Sequence, residues 1–402
     1  MLADLGPLHA PARPFRLLVA GVGGAGCRAL RVLVGLPADV VAIHTDAQAL
    51  GASGAPRLLQ LGAARLHGAG TGGEPALGEA AALAEAEILR ALFRDYELVW
   101  FIGGLGGGTA SGALPVLARL AREASALTFV LATLPFAFEG DQRRQHADAA
   151  LERLRQHADA LAEAPNDRLL AATTGAPPTL ARAFTEADAA LGLAIPTLLR
   201  LLSGDSLLRL DFADLRRFLQ RAGRGLRLAA FRLPLAELRT RVREEVLVSP
   251  LLDAGHALAR ARALLLAVVG GADLPLADLD WLARELRDAC LSPPAHFRVT
   301  AAASPEPAAD GHLQLCLLVG AEWREADPEP LAPPAAAEPP SRESPPSAVG
   351  EASAAGPAVQ IEIPLPTPDL QGKFADTEAN TVGGADLDIP TFIRRGLRIK
   401  HL

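Results

Sequence analysis

Gly106-Gly107-Gly108-Thr109-Ala110-Ser111-Gly112 stands between an apolar run, Leu98-Val99-Trp100-Phe101-Ile102, and an amphipathic one, Ala113 to Ala124. The pattern predicts a strand, a glycine loop and a helix. Glycines remove the Cβ atoms that block a close ligand, so successive backbone N–H groups can aim at one anion. A helix beginning after the loop adds its partial positive charge. Thr109 and Ser111 add hydroxyls. A tight turn needs neither three consecutive glycines nor two hydroxyls at such a junction, and the stretch reads as a phosphate loop.

The same grammar recurs on both sides. Phe15 to Ala20 reads as a buried strand running into Gly21-Val22-Gly23-Gly24-Ala25-Gly26, with a helix from Cys27 to Leu36. Val40 to Ile43 reads as a second strand, with Thr45 and Asp46 at its carboxyl end. Gly68-Ala69-Gly70-Thr71-Gly72-Gly73 precedes Pro75 and a helix to about Phe93. Leu127 to Thr133 is a further strand, left by Pro135-Phe136-Ala137-Phe138-Glu139-Gly140. Strands alternating with helices predict an α/β fold with a doubly wound parallel sheet. Ligands of such sheets sit beyond the carboxyl ends of the strands, where all these loops lie.

Beyond this region, Leu180 to Leu202 reads as a long helix interrupted by Pro196, and residues 204–224 as a loop and helix. A smaller α/β domain follows, with strands near Arg227–Arg232, Ala263–Val269, Phe297–Ala302 and Leu313–Val319 and a helix from Leu276 to Cys290. Residues 324–370 are rich in Pro, Ala, Glu and Ser, a composition that cannot bury a core. Ala385 to Leu402 turns apolar and basic again, which suits a docking peptide. A tether of roughly 60 residues gives it an r.m.s. reach of about 40–45 Å.

Composition narrows the chemistry. The chain has 402 residues and a net charge of −7, which argues against a broad nucleic-acid surface. Its only lysines are Lys373 and Lys400. The Walker loop needs a lysine on the β/γ-phosphates, so a nucleotide here must rely on backbone amides, hydroxyls, arginine and a metal ion. Cys27, Cys290 and Cys316 form no disulfide framework, the histidines lack metal-ligand spacing, and no residue is assigned as a metal ligand. No apolar run reaches membrane-spanning length, and a cytoplasmic protein is expected.

Gly21-x-Gly23-x-x-Gly26 also fits the dinucleotide fingerprint, with Asp46 placed to hold a ribose. An NAD enzyme explains neither the Gly68–Gly73 cluster nor the Gly106–Gly112 loop. Several glycine loops on one sheet edge suit a compact nucleoside triphosphate better.

The motifs taken together resemble FtsZ, the bacterial tubulin-like division GTPase family. The Gly106–Gly112 stretch resembles the tubulin signature. The other matching segments are Gly21–Gly26, Thr45-Asp46-Ala47-Gln48-Ala49-Leu50, Pro135–Gly140 with Arg143, Pro165-Asn166-Asp167-Arg168, Leu210-Asp211-Phe212-Ala213-Asp214, Ser249-Pro250-Leu251-Leu252, and the tail from Asp386 to Arg395. The resemblance implies a tubulin-like division of the chain. Residues 1–14 are a loose tail, 15–179 the GTP-binding domain, 180–203 a central helix, and 204–224 a catalytic loop and helix. A C-terminal domain (225–322), a linker (323–384) and a docking peptide (385–402) complete it.

It further implies GTP or GDP with Mg2+ on the sheet edge. Gly21, Gly23, Gly24, Ala25, Gly26, Gly106, Gly107, Gly108, Thr109, Ala110, Ser111 and Gly112 cradle the phosphates, and Asp46, Gly70 and Gly72 flank them. Glu139 accepts from the ribose, Arg143 and Asn166 reach the nucleotide, Phe184 packs on guanine and Asp188 accepts from its N1–H and amino group. Asp211 and Asp214 come from the next subunit of a head-to-tail filament and complete hydrolysis. Membrane-tethering and regulatory division proteins bind residues 385–402, at the division site on the inner face of the membrane. Taken alone, Asp211 and Asp214 also fit helix-capping acids, Phe184 a core ring and Glu139 a surface acid.

Four positions depart from the family pattern. Arg28 and His44 replace asparagines, Ala110 replaces a signature glycine, and Arg209 replaces the asparagine before the two acids. Arg209 either acts like an arginine finger, a role that speeds hydrolysis by about 10³–10⁵-fold, or pairs with Asp205 or Asp211 and blocks the water. These departures keep a second reading open, a nucleotide-binding paralogue of weak activity that copolymerises with or regulates a standard division GTPase.

Overall fold

Near-continuous apolar runs at residues 17–22, 98–104 and 127–134 form strands buried on both faces, as a parallel sheet covered by helices requires. The structure, a computed structural model, describes residues 16–33, 38–171, 179, 193–200, 206–208, 210–271, 274–303, 311–321, 381–382 and 385–386. The chain divides into two units, Met1–Pro330 and Leu331–Leu402. In the second, the described residues are two short antiparallel strands, Thr381–Val382 and Ala385–Asp386. The loose tail, Phe184, Asp188, Arg209 and residues 387–402 lie outside the described residues.

The described strands of the first unit form one sheet. They are β1 (Leu17–Val22), β2 (Asp39–His44), β3 (Arg57–Gln60), β4 (Leu98–Gly104), β5 (Leu127–Leu134) and β6 (Ala160–Pro165), then β7 (Ser206–Leu208), β8 (Leu226–Pro234), β9 (Ala263–Gly270), β10 (His296–Ala303) and β11 (His312–Gly320). Their order is β3-β2-β1-β4-β5-β6-β8-β11-β9-β10-β7. The first six are all parallel. In the remaining five, β11 runs antiparallel to both β8 and β9, and β7 antiparallel to β10. The two groups meet at a single residue pair, Ala162 and Leu226.

Alternation along each strand feeds a separate core on each face. Val19, Trp100 and Phe129 belong to one, Leu18, Phe101 and Val130 to the other. Trp100 and Phe129 pack at 5.0 Å between ring centroids on the first face, and Phe93 meets Phe101 edge-on on the second.

Several boundaries differ from the sequence reading. The first helix is Gly23–Ala29, continued by a 3₁₀ turn at Leu30–Leu33, and the main one is Gly108–Glu123. Both begin inside the glycine loops, where low helix propensity hides them. Residues 75–93 form two helices, Pro75–Ala84 and Ala86–Phe93. Residues 206–208, expected in a loop, form edge strand β7. Of the expected central helix only 193–200 is described; it is helical and contains Pro196.

Three glycines set the crossing of helices Pro75–Ala84 and Gly108–Glu123. A Cβ on Gly112 would stand 1.9 Å from the carbonyl oxygen of Pro75, and one on Gly78 would stand 2.4 Å from that of Gly108. A Cβ on Gly108 would meet Thr71 Oγ1 at 2.2 Å. Helix Pro75–Ala84 thus lies against the start of helix Gly108–Glu123 at a separation only glycines permit.

Candidate functional site

The carboxyl ends of β1, β2, β4 and β5 open onto a cleft of about 560 Å³. Its walls come from the segments singled out in the sequence: Gly23, Gly24, Ala25 and Gly26; Gly70 and Gly72; Gly107, Gly108, Thr109 and Ala110. Asp46, Glu139, Arg143 and Asn166 close the rim. Lining residues that the sequence reading did not assign to the site are Ala69, Thr71, Gly73, Ile102, Gly103, Gly104, Leu105, Thr133 and Pro135, together with Arg28 and His44, which it noted only as departures from the family pattern. Gly103 and Gly104 end β4, and a glycine pair that finishes a strand carries no loop signal in sequence.

Other expected residues stand behind the cleft. A Cβ on Gly21 would meet the Gly26 carbonyl oxygen at 2.5 Å, and one on Gly26 the Ile102 carbonyl oxygen at 2.2 Å. Both keep the first helix pressed on β1 and β4. Ser111 Oγ accepts from the Gly106 N–H at 2.8 Å and is buried, so it braces the loop that Gly106 bends at φ +101°. Gly112 serves the helix crossing.

In and beside the cleft the side chains are held in place. Thr45 Oγ1 and Thr109 Oγ1 lie 2.6 Å apart, which ties the end of β2 to the start of the main helix. The Asp46 carboxylate accepts from the Ala49 N–H at 2.9 Å and caps helix Ala47–Gly51. Glu139 accepts from the Phe136 N–H at 2.9 Å and also pairs with Arg143. Ala110 is buried, and its methyl faces Gly23. His44 Nδ1 accepts from the Asp46 N–H at 2.8 Å, and burial pushes the pKa of His44 down.

Asp211 and Asp214 do not line this cleft. Asp211 caps helix Phe212–Ala222, its carboxylate accepting from the Asp214 N–H at 2.7 Å. The Asp214 carboxylate pairs with Arg298 of β10 and lies 3.9 Å from Arg217. Among the described residues no group of three or more His, Cys, Asp or Glu could hold a metal ion, and no helix is long and apolar enough to cross a membrane.

The GTPase-domain model of the Tubulin/FtsZ family matches residues 16–174. Cell division protein FtsZ 1 of Archaeoglobus fulgidus is 37% identical over 274 residues, which cover 67% of this chain and 72% of that protein. The chain belongs to the Tubulin/FtsZ family. Cell division protein FtsZ of Methanothermobacter thermautotrophicus is 36% identical over 271 residues, covering 66% of this chain and 69% of that protein. An FtsZ dimer from M. jannaschii superposes with a TM-score of 0.70 at 32% identity, over 77% of this chain and 88% of that one. CetZ2 from Haloferax volcanii, solved as a GTPγS-bound protofilament, shares the fold, with a TM-score of 0.61 at 23% identity over 77% of this chain and 94% of that one. Every cleft-lining residue, from Gly23 to Asn166, falls inside the segment matched by the Tubulin/FtsZ GTPase domain, whereas Asp211 and Asp214 fall outside it.

Proposed function

We propose that the cleft binds GTP and that the chain polymerises head to tail into filaments of the bacterial division ring. The observation that carries this reading is the separation of two sets of residues. Glycine-rich loops and the start of helix Gly108–Glu123 line the cleft, while Asp211 and Asp214 stand outside it on another part of the chain. Acids so placed act on a nucleotide only if it belongs to another copy, and a contact of that kind propagates as an open filament.

The donor set fits a nucleoside triphosphate. The start of helix Gly108–Glu123 and the glycine loops present N–H groups to the phosphates, and Thr109 adds a hydroxyl. Glu139 accepts from the ribose while Arg143 balances its charge. Phe184 and Asp188 hold the guanine. Among the described residues there is no three-ligand cluster; a magnesium ion bound with the nucleotide would be held mainly by the phosphates and would supply charge neutralisation there. The neighbour's Asp211 and Asp214 orient the attacking water, since phosphoryl transfer is chiefly positioning and charge stabilisation. Residues 15–179, 180–203, 204–224 and 225–322 then act as nucleotide domain, central helix, catalytic loop with its helix, and second domain. The 385–402 peptide docks on tethering and regulatory proteins at the membrane's inner face.

One observation favours the second reading, a weakly hydrolysing paralogue. Asp214 is engaged by Arg298, which among the described residues leaves Asp211 as the acid without an ion pair. GTP-dependent sedimentation with simultaneous phosphate release separates the two. Polymer with turnover supports the division GTPase, polymer without turnover supports the paralogue, and neither overturns both.

A further inference from the structure

Gly24 is a glycine without a conformational reason. Its φ lies outside the left-handed region, it sits in the first turn of helix Gly23–Ala29, and a Cβ there would meet no backbone atom within 4 Å. Alanine at such a position favours a helix by roughly 1 kcal/mol over glycine. The neighbours of that absent Cβ are two side-chain donors, Arg28 Nη1 and His44 Nε2, each 3.9 Å from the same point. Gly24, Arg28 and His44 all line the cleft.

The His44 ring cannot turn away. Nδ1 is committed as the acceptor of the Asp46 N–H, so the neutral ring carries its proton on Nε2, the nitrogen that faces Gly24. Burial favours that neutral form. The Asp46 N–H is fixed in turn, because Asp46 starts helix Ala47–Gly51. A hydrogen-bond donor of set direction and an arginine guanidinium therefore flank the same point beside Gly24, each 3.9 Å from where a Cβ would stand, and a side chain there would take up the space between them and the cleft.

We propose that His44 Nε2–H and the Arg28 guanidinium form a two-donor clamp on one phosphoryl group of the nucleotide, seated over Gly24. The inference rests on the nucleotide reading of the cleft and assigns both side chains a direct contact to the ligand. The clamp supplies donors on this wall in a body free of lysine, and it recognises the phosphate chain rather than the base.

Isothermal titration of the full chain with GTP, GDP, guanosine and inorganic tripolyphosphate tests it. His44→Phe and Arg28→Ala each weaken GTP and tripolyphosphate by about tenfold or more, the scale of a lost bond to a charged group. Guanosine affinity stays unchanged. His44→Gln, which keeps an N–H at similar reach, retains most of the GTP affinity. Gly24→Ala melts no lower than the parent yet loses GTP affinity, so misfolding cannot account for the loss. The GDP column shows whether the clamped group is the terminal one. Equal loss for guanosine and GTP, or no loss in a parent chain that binds GTP, overturns the clamp alone. A parent chain that binds tripolyphosphate and not GTP overturns the guanine reading instead, and the same variants then judge the clamp on tripolyphosphate.

Discussion

Gly112 and His44 show how single positions divide the labour of the site. Gly112 touches no ligand space; its missing Cβ lets the Pro75 carbonyl pass at a distance no side chain tolerates. Gly112→Ala is expected to cost about 1–3 kcal/mol, the range for overpacking, read as a lower melting temperature. His44 is a titratable group with a buried ring and a pKa pushed below 6.5 by that burial. The unfolded chain takes up the proton as pH falls through 6.5, and the folded chain resists it. The stability this group contributes is therefore full above 6.5 and is lost as pH falls toward the lower folded value. Urea titrations between pH 5 and 7.5 should show a shallower acid-side loss in His44→Gln than in the parent chain.

Helix Phe212–Ala222 poses a question that belongs to the element. Its first residue boundary carries Asp211, which is at once an N-cap and a proposed hydrolytic group. The two roles separate by substitution. Asp211→Asn keeps a capping oxygen and should melt with the parent while phosphate release collapses. Asp211→Ala loses the cap as well, at a cost of about 1 kcal/mol. A turnover loss in Asp211→Ala that Asp211→Asn does not share would leave capping as the residue's whole contribution. The neighbouring Asp214–Arg298 pair makes a companion prediction. Arg298→Ala releases the carboxylate, and phosphate release per unit of sedimented polymer should rise.

Elements also explain what could be read in advance. β1, β4 and β5 declare themselves as apolar runs, and the loops that follow them carry glycines and hydroxyls together. The starts of helices Gly23–Ala29 and Gly108–Glu123 were hidden because glycine reads as a breaker even where a packed neighbour enforces helix. β7 has three residues and gains its identity only from pairing with β10. Gly21, Ser111 and Gly112 carry the loop signature yet stand behind the cleft, since a motif records close approach without saying which partner approaches. Thr133 and Gly103 come to the cleft through strand register, which no local pattern encodes.

At the scale of the molecule, the seam between β6 and β8 is the thinnest join in the sheet, with the one pairing of Ala162 to Leu226. Side chains reinforce it. Arg168 pairs with Asp253, Arg227 reaches Asp253 at 3.3 Å and Glu163 at 3.6 Å, and Arg155 reaches Glu163 at 2.8 Å. The chain of charges runs from helix Asn166–Ala171, whose first residue lines the cleft, to the turn after Ser249-Pro250-Leu251-Leu252. Removing Arg227 leaves Glu163 with Arg155 and Asp253 with Arg168, but takes away the one side chain among the described residues that joins the two acids. Arg227→Ala is expected to split one calorimetric transition into two, as the parallel half and the mixed half lose their tie. A single transition, merely lowered, would show that packing alone joins them.

The lysine-free body has a practical corollary. Reagents that acylate primary amines find side-chain targets only at Lys373 and Lys400, so a fluorophore attached by that chemistry marks the tail region and spares every residue of the cleft. Dicarbonyl reagents, which seek guanidinium groups, strike the opposite set and reach Arg28 and Arg143. Protection of those two by a bound ligand, followed by peptide mapping, would chart the cleft's occupancy without altering one codon.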